Sequence, residues 1–394
     1  MKTTVAILLA AAVAAAGCKK QSEAPPAEQK PIAQEQPKEP PPPPKEEPKP
    51  LTSEELAKWF QGCWGHFNDK KLDEFAKCYA DDASVSMPGA PDVTGGPALA
   101  ELAKMYAAAF PDGKGENELT LINGHQIVSV VLFRGTHGGP LKTPAGDIPP
   151  TNKKVGLLFL QKVQVSDKNV VQQEWRFLDT PALLAQLGVS KEKARKPIEQ
   201  GPPEKPVVIA KDDDNERKNA DAHKKVYELF SKHDKAMGDV FADDAVESNM
   251  SEAADIKGKK ALMGFNEQLW KGFPDIKVEV QEAWGAGDFT FLVGRLTGTN
   301  EAPLPAMGIK KKTGKPIDFL FAEVVKWENG KAKMSWPFYD SMQMGMQLGL
   351  IQPPAAPAGG AAPAAAAPGE EKKEEGKAEE KKEEKKEHKK EKAK

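Results

Sequence analysis

Two stretches of this chain carry the same three side chains at the same spacing. The first is Trp175, Phe177 and Asp179; the second is Trp336, Phe338 and Asp340. A Gln-Leu-Gly triplet follows each, starting at Gln186 and at Gln347. An extended strand sends alternate side chains to one face, so each stretch is expected to group an indole, a phenyl ring and a carboxyl. A carboxyl walled by apolar rings is desolvated and its pKa rises. Such a group can give or take a proton near neutral pH. The alternative is a strand-end carboxylate capping the turn that follows, because Thr180-Pro181 and Ser341 begin one.

The surrounding pattern supplies the elements that would hold these side chains. Thr52 or Ser53 is a helix N-cap, with Glu54 and Glu55 in the first turn. Leu56, Trp59, Phe60, Cys63 and Phe67 recur at helical spacing until Asn68-Asp69. Leu72, Phe75, Ala76 and Tyr79 predict a short second helix ended by Asp81-Asp82, and 98–110 a third stopped by Pro111. Strands are expected over 119–122, 127–133, 155–165 and 170–179, then a helical turn over 181–187. Helices followed by antiparallel strands make an α+β order.

The unit occurs twice. The segment 78–83 matches 240–245, Phe110-Pro111-Asp112 matches Phe273-Pro274-Asp275, and Gly135-Thr136 matches Gly298-Thr299. Thr151-Asn152-Lys153 matches Thr313-Gly314-Lys315. The order and offset are kept throughout, so the chain holds an internal duplication, with 222–233 as the long helix of the second copy. The copies are assigned to 51–190 and 215–352, joined by a charged, proline-bearing linker, 191–214, in which the apolar run 207–210 has no clear role.

Outside the copies the composition changes. Residues 1–18 form a targeting segment whose apolar run, 5–16, is short for a mature membrane span. It ends Ala15-Ala16-Gly17-Cys18, which resembles a bacterial lipobox, so Cys18 is expected to carry a lipid anchoring the protein to the membrane. By resemblance to sorted lipoproteins, Lys19 implies the outer membrane, facing the periplasm. Segment 19–50, rich in Pro, Glu and Lys, reads as a solvated tether, and 353–394, Ala/Pro then Glu/Lys, as a disordered tail. In an exported, oxidising setting Cys63 and Cys78 could be joined as a disulfide or stay as two buried thiols.

Some chemistry is excluded. The net charge is −2, and Lys310-Lys311-Lys312 reads as a solvated loop, so no nucleic-acid partner is expected. No His-x-His, Cys-x-x-Cys or His-Glu-x-x-His spacing predicts a metal site, and no phosphate loop, dinucleotide fingerprint or Gly-x-Ser-x-Gly elbow occurs. No cofactor is expected.

Together, Ala80-Asp81-Asp82-Ala83, Phe110-Pro111-Asp112, Gly135-Thr136-His137, the Thr151-Asn152-Lys153 turn, and Trp175 to Asp179 with Gln186-Leu187-Gly188 resemble the SnoaL-like polyketide (ester) cyclases of the NTF2-like superfamily. The resemblance implies two tandem cone-shaped domains, each a bent antiparallel sheet wrapped around a long helix with an apolar pocket. It implies cofactor-free acid/base conversion, or simple binding, of a small hydrophobic carbonyl compound, or else a non-catalytic interaction scaffold. Asp179 and Asp340 would be the acid/base groups, with Trp175, Phe177, Trp336 and Phe338 as pocket wall. His137 would be the polar partner in the first copy. Asn300 takes its place in the second and cannot transfer a proton near neutral pH. Polar positions of the family are replaced by Gln173, Met334, Ser86 and Ser248. The first copy is therefore expected to be the site and the second an eroded one. Domains of this superfamily pair through their sheets, which implies an intrachain pseudo-dimer.

Overall fold

The computed structural model describes residues 49–88, 90–143, 146–190 and 195–352. Cys18, residues 19–48 of the tether and the tail lie outside the described residues. The first copy runs α1 (Ser53–Asn68), α2 (Leu72–Ala76), β1 (Tyr79–Ser86), β2 (Val93–Thr94), α3 (Gly96–Ala109), β3 (Lys114–Asn123), β4 (Gln126–Thr136), β5 (Lys154–Val165), β6 (Val171–Phe177) and α4 (Thr180–Gln186). A linker strand, β7 (Val207–Ile209), follows. The second copy runs α5 (Asp214–Ser231), a 3-10 turn (Lys235–Val240), β8 (Phe241–Glu247), β9 (Ile256–Lys257), α6 (Lys259–Gly272), β10 (Lys277–Ala286), β11 (Phe289–Thr299), β12 (Pro316–Glu328), β13 (Lys331–Phe338) and α7 (Ser341–Gln347). Both copies fall in one compact unit.

Local sequence explains where the helices start. Thr52 and Glu55 form a reciprocal capping box on α1. Asp213 and Glu216 form another on α5. That cap starts α5 eight residues before the expected 222, because its first turns are polar and carry no apolar stripe.

The strand order is β2-β1-β6-β5-β4-β3-β7 in the first sheet and β10-β11-β12-β13-β8-β9 in the second. The expected antiparallel sheets are in fact mixed. β1 lies parallel to β6, and β8 parallel to β13. The chain between these partners includes an α-helix and four strands, ample for a parallel return. β1 also replaces the expected end of the second helix: Tyr79, Asp81 and Asp82 are strand residues. The linker run 207–210 becomes a parallel edge strand on β3, with Thr120 paired to Val207.

The repeated landmarks are fasteners of this fold. Asp112 accepts the Thr136 amide at 2.6 Å and its hydroxyl at 2.8 Å; Asp275 does the same for Thr299 at 2.6 and 2.8 Å. Gln186 brackets Gly156, accepting its N–H and donating to its carbonyl, and Gln347 brackets Asp318 likewise. Asn152 (φ 55°) and Gly314 (φ 67°) turn the chain at equivalent places through the left-handed region. Cys63 of α1 and Cys78, just before β1, are bonded, with Cα atoms 6.2 Å apart.

Three apolar clusters matter for the site. One lies among α1, α2, α3 and one face of the first sheet; Phe60, Trp64, Phe67, Phe75 and Phe159 belong to it. A second fills the corresponding space around Phe230, Trp270 and Phe321. A third lies between the sheets, joining Leu121, Val128, Leu160 and Phe177 of one copy to Phe291, Val293, Val324 and Phe338 of the other.

Candidate functional site

The Trp-x-Phe-x-Asp faces line neither of the two cavities described below. Phe177 and Phe338 are buried in the cluster between the sheets, and Trp175 and Trp336 pack against it. Lys162 Nζ sits 4.5 Å from the Trp175 ring and pairs with Glu282 of the other copy. The expected pocket-wall role of these four rings is thus replaced by sheet-to-sheet packing. Alternation explains it: a strand between two apolar layers offers rings to both, and the adjacent residues turn the other way.

Asp179 and Asp340 sit where the two copies cross. Asp179 caps its own helix through Ala182 N–H at 3.1 Å, and Asp340 caps its own through Met342 N–H at 3.0 Å. Each also caps the other's helix. Asp179 accepts the Ser341 amide at 2.8 Å and hydroxyl at 2.5 Å. Asp340 accepts the Thr180 amide at 3.3 Å and hydroxyl at 3.1 Å. Burial, then the neighbouring Asp179 charge, pushes Asp340 up to about 7. The group is perturbed, but by a junction between copies.

His137 and Asn300 pin equivalent loops. The Thr151 amide donates to His137 Nδ1 at 3.2 Å, which puts the proton of the neutral ring on Nε2. The ring is buried beside Phe110, and burial holds its pKa down. Asn300 accepts the Thr313 amide at 2.8 Å and donates to the Ala302 carbonyl. Neither residue lines the cavities described next.

The face opposite the rings does line them. In the first copy, Arg176 and Leu178 of the β6 region join Trp64, Phe75, Tyr79, Tyr106, Phe133 and Phe159 around a cavity of about 70 Å³. Trp64, Tyr79 and Arg176 are joined there in one polar network. Glu174 pairs with Arg176 at 2.7 Å, and accepts from the Tyr79 hydroxyl at 2.7 Å and Gln161 Nε2 at 2.7 Å. Trp64 Nε1 donates to Gln161 at 2.9 Å. Burial, then the Glu174 charge, pushes the Tyr79 hydroxyl well above its usual range. This buried carboxylate carries its own counter-ion.

The second copy is built differently. A cavity of about 130 Å³ is walled by Tyr227, Phe230, Phe241, Phe265, Phe321 and Trp327, with His223, Glu247 and Glu323 as its titratable groups and Lys333 alongside. A directed chain of hydrogen bonds holds Glu323. Trp327 Nε1 donates to Thr290 Oγ1 at 2.8 Å. Thr290 Oγ1 lies 2.9 Å from His223 Nδ1, and His223 Nε2 lies 2.9 Å from Glu323 Oε2. A neutral His223 with its proton on Nε2 satisfies every link: the Thr290 hydroxyl donates to Nδ1, and Nε2–H donates to Glu323. Tyr227 also donates to Oε2, at 2.5 Å. Burial, then the Glu323 charge, pushes the Tyr227 hydroxyl far up.

Glu247 makes no hydrogen bond among the described residues. Burial among the cavity walls, then the charges of Glu323 and Glu252, push it up to about 8. It is therefore a neutral carboxylic acid at pH 7, lining the same cavity as Glu323. A carboxyl that keeps its proton and a second, hydrogen-bonded glutamate on the same cavity can serve as donor and acceptor.

The richer set of titratable groups thus lies in the copy expected to be eroded. Two signals in the sequence point to it. Glu323 interrupts the apolar run 319–325, and His223 and Tyr227 are four apart, on one face of a helix. Neither is a repeated landmark: the position matching Glu323 is Gln161, opposite Arg176 in the β5–β6 register, as Glu323 is opposite Pro337.

The model of the SnoaL-like polyketide cyclase family matches residues 54–187 and again 220–348. Among curated proteins none is similar to the chain. Among solved structures, one described as a SnoaL-like polyketide cyclase from Jannaschia sp. CCS1 is 18% identical, covering 36% of this chain and 97% of that one, with a TM-score of 0.32. IdmH from Streptomyces antibioticus, described as a polyketide cyclase, is 22% identical, covering 33% of this chain and 98% of that one, with a TM-score of 0.29. With both copies matched, over more than half its length, the chain belongs to the SnoaL-like polyketide cyclase family as a tandem duplicate.

Proposed function

We propose that the second copy is a small-molecule site and that Glu323 and Glu247 are its proton acceptor and donor. The observation that carries this is a pair of acids on one apolar cavity: Glu323, held by His223 and Tyr227, and Glu247, whose proton burial retains. The cavity suits a ligand of about benzene size, since an apolar space of roughly 150 Å³ admits that molecule. A multi-ring polyketide needs several-fold more room, as drug-sized sites span ~300–1,000 Å³. Where the ligand is the carbonyl compound that the family resemblance implies, Glu323 takes the proton beside the carbonyl and Glu247 protonates its oxygen. No cofactor enters this reading.

The first copy is its structural companion. The reciprocal Asp179 and Asp340 caps and the shared inter-sheet cluster support an intrachain pseudo-dimer. Cys18 is the lipid attachment, and the protein works at the cell envelope, most simply at the outer membrane facing the periplasm; the Ala-Ala-Gly-Cys segment supports this.

Ligand-observed NMR with cyclohexanone, cyclohexanol and cyclohexylamine tests the site. Ala245→Leu fills the second cavity and Ala103→Leu the first. Binding should vanish with the former and persist with the latter; the opposite pattern would sink the proposal. Exchange of the cyclohexanone α-protons into D₂O should be lost in Glu323→Gln and kept in Asp179→Asn.

A further inference from the structure

We propose that the ligand of the second cavity is a small organic cation, such as a protonated or quaternary amine, held by Glu323 against aromatic walls. This rests on the second cavity being the ligand site, and concerns the ligand's charge; it holds whether the molecule is converted or only bound.

The first copy shows what the second lacks. Its buried carboxylate, Glu174, is paired with Arg176, whose guanidinium lines the cavity. Strand register places Pro337 where Arg176 stands, so the second copy has no arginine there. Yet it has a buried carboxylate: Glu323 is 7% exposed. Both of its donors, His223 and Tyr227, reach Oε2, and Oε1 receives no hydrogen bond among the described residues. His223 engages Oε2 alone, at 2.9 Å, and so leaves Oε1 to another donor.

The other charged groups give Oε1 no donor among the described residues. Lys333 lies along the cavity, but its ammonium is committed to Asp244. Glu247 is acidic, and Glu252 adds negative charge nearby. An ammonium entering the cavity would give Oε1 a charged donor, and charge-assisted hydrogen bonds of this kind are the strong ones. The remaining wall suits the same guest, because aromatic faces attract ammonium groups, most strongly when desolvated. Tyr227, Phe321 and Trp327 lie on that wall. An arriving cation would also favour the ionised form of Glu247, so binding at pH 7 should release a proton to solvent.

Isothermal titration with cyclohexylammonium and cyclohexanol, nearly equal in shape, reads the charge preference directly. At pH 7 the ammonium should bind at least 10-fold more tightly. Glu323→Gln should remove most of that preference, read as the ratio of the two affinities in the same protein. Pro337→Arg, which restores the counter-ion of the first copy, should abolish ammonium binding in a chain with an unchanged far-ultraviolet circular dichroism spectrum. Titration in two buffers of different ionisation enthalpy should show proton release with the ammonium and none with the alcohol. Equal binding of the two, or a preference that survives Glu323→Gln, overturns the inference and leaves the site itself standing. Binding of neither overturns both.

Discussion

Glu247 behaves unlike an ordinary surface glutamate because its carboxyl sits among the aromatic walls of a cavity with Glu323 close by. Folded, it keeps its proton up to about pH 8; unfolded, it loses it near its ordinary value of 4.5. The unfolded chain thus binds fewer protons between those values, and stability falls as pH rises through that window. The contribution is fully present below pH 4.5 and lost as pH passes 8. Replacing Glu247 with Gln removes the titration. The variant should melt at nearly the wild-type temperature at pH 4.5 and above it at pH 8. A difference that stays flat with pH would show that this carboxyl is not desolvated as described. His137 is the contrasting residue: buried and with a depressed pKa, it does its work as a neutral loop pin.

Among the elements, the two Gln-Leu-Gly segments give a controlled comparison. Gln186 makes its bonds to Gly156 in a buried place, whereas Gln347 makes the equivalent bonds to Asp318 near solvent. Leaving buried groups unpaired costs about 1–3 kcal/mol, and water can replace an exposed partner. Gln186→Ala should therefore lower the denaturant midpoint clearly more than Gln347→Ala; equal losses would count against a common fastening role graded by burial. The Cys63–Cys78 bond spans 15 residues of sequence. Constraining a loop of that length is worth about 3 kcal/mol in the chain-entropy account. A Cys63→Ser, Cys78→Ser chain should lose stability of that order in urea unfolding, and an unchanged midpoint would refute it. Elements with strong apolar periodicity, such as α1 and β5, were legible from sequence. β1 was not, because Tyr79 to Ser86 begins at the end of a helical pattern and earns its strand only by pairing with β6. The polar front of α5 was hidden for the same lack of an apolar stripe.

For the whole molecule, the junction of the copies is sensitive to pH through Asp340. Its carboxyl is raised from its ordinary 3.8 to about 7 by burial and by Asp179. The stabilising contribution is complete below pH 3.8 and lost as pH rises through 7. Asp340→Asn keeps an oxygen for the capping amides and drops the charge. It should gain melting temperature over the wild type from pH 4 to pH 8, and a gain that shrinks over that range would contradict the assignment. Attachment is tested on the full chain in bacterial cells: an alkynyl fatty acid should label the wild type and not Cys18→Ala, and labelling of both would remove the lipid-anchor proposal.

Sequence alone determined the duplication, the family and the repeated landmarks, because these depend on short patterns repeated in order. Asp112 finds Thr136 and Asp275 finds Thr299 by the same local geometry, so the shared landmarks report shared fold. The identity of the pocket face was decided only by tertiary structure. Alternation puts Trp175, Phe177 and Asp179 on one side of a strand, but does not say what packs on that side. Here it is the other sheet, from residues more than 100 positions away, and the intervening positions face the cavity. The same distant packing joins His223, Glu247 and Glu323, from one helix and two strands, into a site that no spacing rule along the chain could assemble.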